Sequence, residues 1–151
     1  MERSITELAA ALGAGEVTSR ELVASYLARI EAYDQRGPAL NAMVVISPNA
    51  FADADARDAE RVEGRVRGPL HGIPVILKDN LDTGDHMQTT AGSLALEGSV
   101  APRDSFVAER LRAAGAFILA KANLSEWANF RGRNSVSGWS GRGGLTRNPY
   151  V

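Results

Sequence analysis

Apolar side chains recur every three or four residues through Leu22, Val23, Tyr26, Leu27, Ile30 and Tyr33, while Glu21, Ser25 and Arg29 fall on the opposite side. That period predicts an amphipathic helix to about Gln35, its apolar face turned to a core rather than to a ligand. Thr18-Ser-Arg-Glu21 is a capping box at its start, and Val17 with Leu22 can form the hydrophobic staple. Gly37-Pro38 ends it. Upstream, a second capping box, Ser4-Ile-Thr-Glu7, predicts a shorter helix that stops near Gly13 to Gly15.

Further on, the pattern alternates between short apolar runs and helical periods. Ala42-Met-Val-Val-Ile-Ser47 is a β-branched run that predicts a strand. Pro48 opens a helix from about Asn49 to Val62, with Asp53 and Arg57 placed to pair on its surface. The charge run from Arg57 to Arg67 is expected to be a solvated face. Ile73 to Leu77 lacks polar alternation, as a strand covered on both faces in a parallel sheet would. A loop follows, then a helix opening at Pro102-Arg-Asp-Ser, with Val107, Leu111 and Ala114 facing inward and Gly115 at its end. Ala116-Phe-Ile-Leu-Ala120 is a second wholly apolar strand, ending in Lys121. Asn123 to Glu126 suggests another helix start, carrying Trp127 and Phe130. The last 21 residues, Arg131 to Val151, follow neither period, so they are functional, disordered or resting on something else. The apolar ending Asn148-Pro-Tyr-Val151 suggests a chain cut in mid-fold. Strand and helix alternate with short connections, which is the pattern of a layered α/β fold.

Composition adds few constraints. At 151 residues, 44% hydrophobic and 23% charged, the chain is ordinary for one globular domain. A net charge of −1 gives no electrostatic case for nucleic acid or for an anionic membrane. Without cysteine there are no disulfides, thiol nucleophiles or thiolate metal sites. The N-terminus has no apolar signal core, and no run reaches membrane-spanning length, so a cytoplasmic location is expected.

The cations are more informative. Of 17, only Lys78 and Lys121 are lysines. Lysine can be made neutral by burial and arginine cannot. Composition alone leaves open that these two simply escaped replacement by arginine. Both, however, end apolar strands, and open α/β sheets bind ligands outside the carboxyl ends of their strands. For Lys121 a structural role leads, because an ordinary helix start follows it.

Other chemistry is poorly represented. Gly138-Trp-Ser-Gly falls one residue short of a nucleophile elbow. No phosphate loop or dinucleotide fingerprint occurs. His71 and His86 have no second histidine at ligand spacing, so no metal is expected. Asp82 and Asp85 lie where aspartate favours turns rather than a paired-carboxylate site.

Gly68-Pro-Leu-His-Gly-Ile-Pro-Val-Ile-Leu-Lys-Asp-Asn80, Thr89-Thr-Ala-Gly-Ser93 and Ala113-Ala-Gly-Ala-Phe-Ile-Leu-Ala-Lys-Ala-Asn-Leu-Ser-Glu-Trp-Ala128 closely resemble the amidase signature hydrolases. Ser137-Gly-Trp-Ser-Gly-Arg-Gly-Gly-Leu-Thr-Arg-Asn-Pro-Tyr150 is similar to the branch containing bacterial peptide amidases, which remove the C-terminal amide of peptides. The resemblance covers the chain from about Ile5 and matches the N-terminal portion of that family. It implies helices layered around a mixed, largely parallel β-sheet. Of that single domain, about residues 1–65 would form a helical N-terminal region and about 66–151 the start of the core sheet.

The resemblance also implies a Ser–cis-Ser–Lys triad without metal or organic cofactor. Lys78 corresponds to its lysine, with Asp79 and Asn80 as candidates to hold it or the following loop. The family's two serines lie in a Gly-Ser-rich segment after Asn-Pro-Tyr, past Val151. Ser93, Ser135, Ser137 and Ser140 sit in motifs that do not carry the nucleophile, and are taken as loop-forming. A lysine general base must be neutral. With an unperturbed pKa near ~10.4, roughly one molecule in a few thousand is neutral at pH 7, and burial is expected to raise that fraction. The implied partners are a small amide or peptide amide substrate and the missing C-terminal portion of the domain, with neither nucleic acid nor membrane. Two alternatives stand beside this: the glutamine-hydrolysing subunit of an amidotransferase, and a non-catalytic truncated or split-protein fragment.

Overall fold

The structure is a computed structural model that describes residues 3–130 and 136–150. Both capping boxes form. Ser4 opens helix α1 (Ile5–Ala14), with Glu7 reaching back to the cap, and Gly15 closes it in the left-handed conformation. Thr18 and Glu21 do the same for α2 (Ser19–Arg29). The helical run continues to Gln35, as the apolar period predicts, but its last stretch, Ile30–Gln35, widens into a π-helix.

Strand β1 (Met43–Ile46), helix α3 (Ala50–Val62), strand β2 (Pro74–Lys78), helix α4 (Phe106–Ala113) and strand β3 (Phe117–Ala122) follow. The sheet order is β1-β3-β2, with β1 antiparallel and β2 parallel to the central β3. This is a layered α/β architecture with a mixed sheet, as expected. On one face, Phe117, Leu119 and Ala120 pack against Val23 of α2 and Ala50 and Ala54 of α3. On the other, Leu77 and Ile118 pack against Met87 and against Ala108 of α4. A third cluster joins Leu8 and Leu12 of α1 to Leu22 and Ile73.

Strict alternation breaks at one point in β3. Val75 pairs with Ile118, but the next residue, Ile76, pairs with Ala120. The extra residue is a β-bulge, which leaves Leu119 and Ala120 packed in the same cluster. Past it, Lys121 lies opposite both Leu77 and Val45, on the α4 face.

Several local expectations are modified. The inward face of α4 is Ala108 with Leu111; Leu111 faces inward as predicted, but Ala108 takes the place expected of Val107, which is exposed. Strand β2 is covered on one face only: Leu77 is buried, while Ile76 is 40% exposed. Together with Tyr26, Ile30, Tyr33, Leu119 and Pro74, Ile76 lines an open apolar groove of about 810 Å³, so part of the α2 stripe is not core in this chain. The charge run 57–67 is partly packed. Glu60 joins Arg57 and Arg67, and Arg61 donates to the His71 carbonyl at 2.7 Å, pinning the turn before β2 to α3. Arg57 thus pairs with Glu60 at 3.3 Å rather than with Asp53. His71 is buried with both ring nitrogens engaged. Nδ1 accepts the Arg67 amide, which leaves Nε2 to donate to the Arg57 carbonyl at 2.9 Å. That is a neutral, structural histidine.

Candidate active site

Lys78 is the last residue of β2, at the carboxyl end where ligands collect in α/β sheets. Period-two alternation places it on the groove face with Pro74 and Ile76. Its side chain is exposed.

The backbone immediately after it is strongly held. The Asp79 amide donates to the Ala122 carbonyl, and the Leu81 amide to the Lys78 carbonyl. The Asp79 carbonyl accepts two amides, Thr90 at 3.2 Å and Ala91 at 2.8 Å. The Asp79 carboxylate is fully buried. It accepts the Thr90 hydroxyl at 2.5 Å and pairs with Arg142 at 3.3 Å through Oδ2, while Oδ1 has no hydrogen-bond partner. Asn80, the other flanking candidate, is exposed. The Thr89–Ser93 motif therefore wraps the turn that follows the lysine.

Lys121 lies one strand away, on the opposite face, and is fully buried. Its ammonium donates to the Leu81 carbonyl at 2.7 Å and to the Thr89 hydroxyl at 3.0 Å. Burial lowers its pKa below the usual 10.5, opposed in part by the charges of Asp79, Asp85 and Asp82; Arg112 adds to the lowering. The sign of the consequence is fixed. Between the lowered folded value and the unfolded one, the unfolded chain binds more protons, so stability rises with pH across that window. Urea midpoints measured through it will increase with pH, and the Lys121→Met difference will isolate the lysine's share.

Asp85 is tied up locally. It accepts the Thr83 hydroxyl and the Met87 amide through Oδ1 and pairs with Arg112 at 2.6 Å through Oδ2. This is the turn role expected of it. Among the described residues, no group of three or more His, Cys, Asp or Glu side chains is placed to hold a metal ion.

The segment after residue 135, aperiodic in sequence, is ordered by what it rests on. Strands β4 (Trp139–Ser140) and β5 (Gly144–Leu145) form a small antiparallel hairpin. Asn123 donates to the Gly144 carbonyl and the Thr146 hydroxyl, and Asn41 donates to the carbonyls of Gly143 and Leu145. Ser140, fully buried, donates to Asn123 Oδ1 and accepts the Gly143 amide. Ser93 is buried and Ser137 exposed. Ser135 lies outside the described residues.

The expected helix after Asn123 does not form as such. In the turn Glu126–Asn129, Trp127 and Ala128 have left-handed backbones, with φ of 52° and 54°. The Trp127 amide is bonded to the Ala91 carbonyl, so the Thr89–Ser93 loop and this turn are joined. Trp127 and Phe130 are exposed there. Sequence reasoning also missed the pair between half-buried Arg142 and buried Asp79, 63 residues apart. Its only sequence signal was an arginine within an aperiodic glycine-rich stretch.

A mixed α/β sheet thus carries a lysine at the end of a parallel strand, with a Thr-Thr-Ala-Gly-Ser loop wrapped around the turn that follows it. Comparison with known proteins gives the class. The Amidase family model matches residues 21–151, and the chain belongs to the Amidase family, whose members hydrolyse carbon–nitrogen bonds. It superposes on native peptide amidase from Stenotrophomonas maltophilia with a TM-score of 0.96 and 54% identity, over 99% of this chain and 30% of that one. A putative amidase of Schizosaccharomyces pombe is 47% identical over 90% of this chain and 23% of its own length. A glutamyl-tRNA(Gln) amidotransferase subunit of Halorhodospira halophila is 45% identical over 84% of this chain and 25% of its length. The chain thus spans less than a third of the relatives it matches. Among the described residues, no helix is long and apolar enough to cross a membrane.

Proposed function

We propose that this chain supplies the lysine of a Ser–cis-Ser–Lys amide hydrolase, with Lys78 as general base and Asp79 holding the turn beside it. The observation that carries the reading is the end of β2. There Lys78 projects from a backbone fixed by four hydrogen bonds, two of them donated by Thr90 and Ala91. The neutral lysine takes a proton through the bridging serine, and the nucleophilic serine attacks the amide carbonyl. Ammonia or an amine leaves, and water releases the acid. Both serines belong to the remainder of the domain, which also covers Ile76 and the groove and so desolvates the lysine. The isolated 151-residue chain is inactive. Asn80 borders the same turn and completes the candidate surroundings of the base.

C-terminal peptide amides are the favoured substrates, given 54% identity to a peptide amidase. Glutamine, the substrate of an amidotransferase, is the second reading, supported by 45% identity to the Halorhodospira halophila protein. The chain is incubated with a peptide amide, or with glutamine, and ammonia is measured. The incubation is repeated with the remainder of the Stenotrophomonas maltophilia peptide amidase added. Peptide-amide turnover only in the combined sample is expected. Turnover by the chain alone would sink the assignment of the nucleophile to the remainder.

A further inference from the structure

Burying a cation is costly unless its partners compensate for the lost water. Lys121 is fully buried, yet both of its hydrogen-bond acceptors are neutral: a backbone carbonyl and a threonine hydroxyl. A methionine would fill the same space without that cost. The Thr89 hydroxyl reaches the Leu81 carbonyl directly at a long 3.5 Å; the ammonium, as a methionine cannot, adds shorter bonds to both groups, at the two ends of the loop that begins directly after Lys78. Thr89 is followed by Thr90 and Ala91, whose amides both bind the Asp79 carbonyl. Thr90 also binds the Asp79 carboxylate.

We propose that Lys121 is a positioning residue for Lys78: its ammonium closes the 81–89 loop, and through Thr90 and Ala91 sets the backbone from which Lys78 projects. The two lysines act from opposite faces of the sheet, one sealed beneath it and one at the open end above. The coupling to catalysis rests on the assignment of Lys78 as base; the loop closure does not.

Two readouts test it separately. In the 151-residue chain, amide hydrogen exchange is compared between wild type, Lys121→Met and Thr89→Val, with the β3 amides as internal reference. The Thr90 and Ala91 amides are expected to exchange faster in both variants while β3 keeps its protection. Unchanged exchange at Thr90 and Ala91 in a folded variant overturns the clamp. Thr89→Val removes one acceptor, together with that hydroxyl's long 3.5 Å bond to the Leu81 carbonyl, and leaves the lysine in place, so unchanged exchange in this variant overturns the clamp if Lys121→Met does not fold. In the sample combined with the peptide amidase remainder, either variant lowers kcat, by up to about 10²-fold for a displacement near 1 Å, while KM barely changes. An unchanged kcat overturns the positioning role. If the wild-type combination is itself silent, through misassembly or the wrong substrate, hydrogen exchange alone decides whether Lys121 closes the loop.

Discussion

Replacing Lys78 with alanine in the combined enzyme is expected to lower ammonia release by about 10²–10⁴-fold, the usual contribution of a positioned general base. Lys78→Arg will not restore it, because a guanidinium stays protonated and cannot accept the serine's proton. The effect should fall on kcat and kcat/KM together, as for an interaction made only in the transition state. Circular dichroism of the isolated chain should be unchanged, since Lys78 is exposed and the hydrogen bonds around it are made by its backbone. An alanine variant with wild-type turnover would remove Lys78 from the mechanism.

The largest effect on stability is expected at Gly115. Its φ is 92°, which a residue with a side chain adopts only under strain, and an added Cβ would stand 2.6 Å from the His71 Cα. The obstacle is backbone, so no rotamer change relieves it. Moving His71 would disturb its bonds to the Arg57 carbonyl and the Arg67 amide. The Gly72 amide's bond to the Gly115 carbonyl would be disturbed as well. Left-handed strain of about 1–2 kcal/mol and overpacking of about 1–3 kcal/mol together predict a loss of roughly 2–5 kcal/mol for Gly115→Ala. A urea titration of the two proteins measures it; midpoints that coincide would show that the contact yields without cost.

What was legible in the sequence was local. Ser4 with Glu7 and Thr18 with Glu21 sit three residues apart, and their geometry follows from that spacing alone. The two apolar strands read directly, because a short continuous apolar run has few other places to go. The apolar run Ile73–Leu77 placed Lys78 at the end of a strand, where it lies. The remainder depended on distant partners. Lys121 could be located but not explained, since its acceptors are 40 and 32 residues away. The hairpin of residues 139–145 carries no period of its own, because its order comes from Asn41 and Asn123. The left-handed turn at Trp127 and Ala128 contradicts the propensity of both residues and is held by a bond from the Trp127 amide to Ala91. At the start of α4 the inward residue is Ala108 rather than Val107 because both are apolar, and only packing against Met87 and Ile118 chooses between them.

The bulge at Leu119 and Ala120 has a consequence for the division of labour between the two lysines. With strict alternation from Phe117, Lys121 would emerge on the same side as Phe117, the side to which Lys78 also points. Two ammonium groups from adjoining strand ends would then crowd one opening and repel each other there. A single additional residue changes the parity of everything after it. It sends one lysine inward to become a fastener and leaves the other in sole possession of the open end.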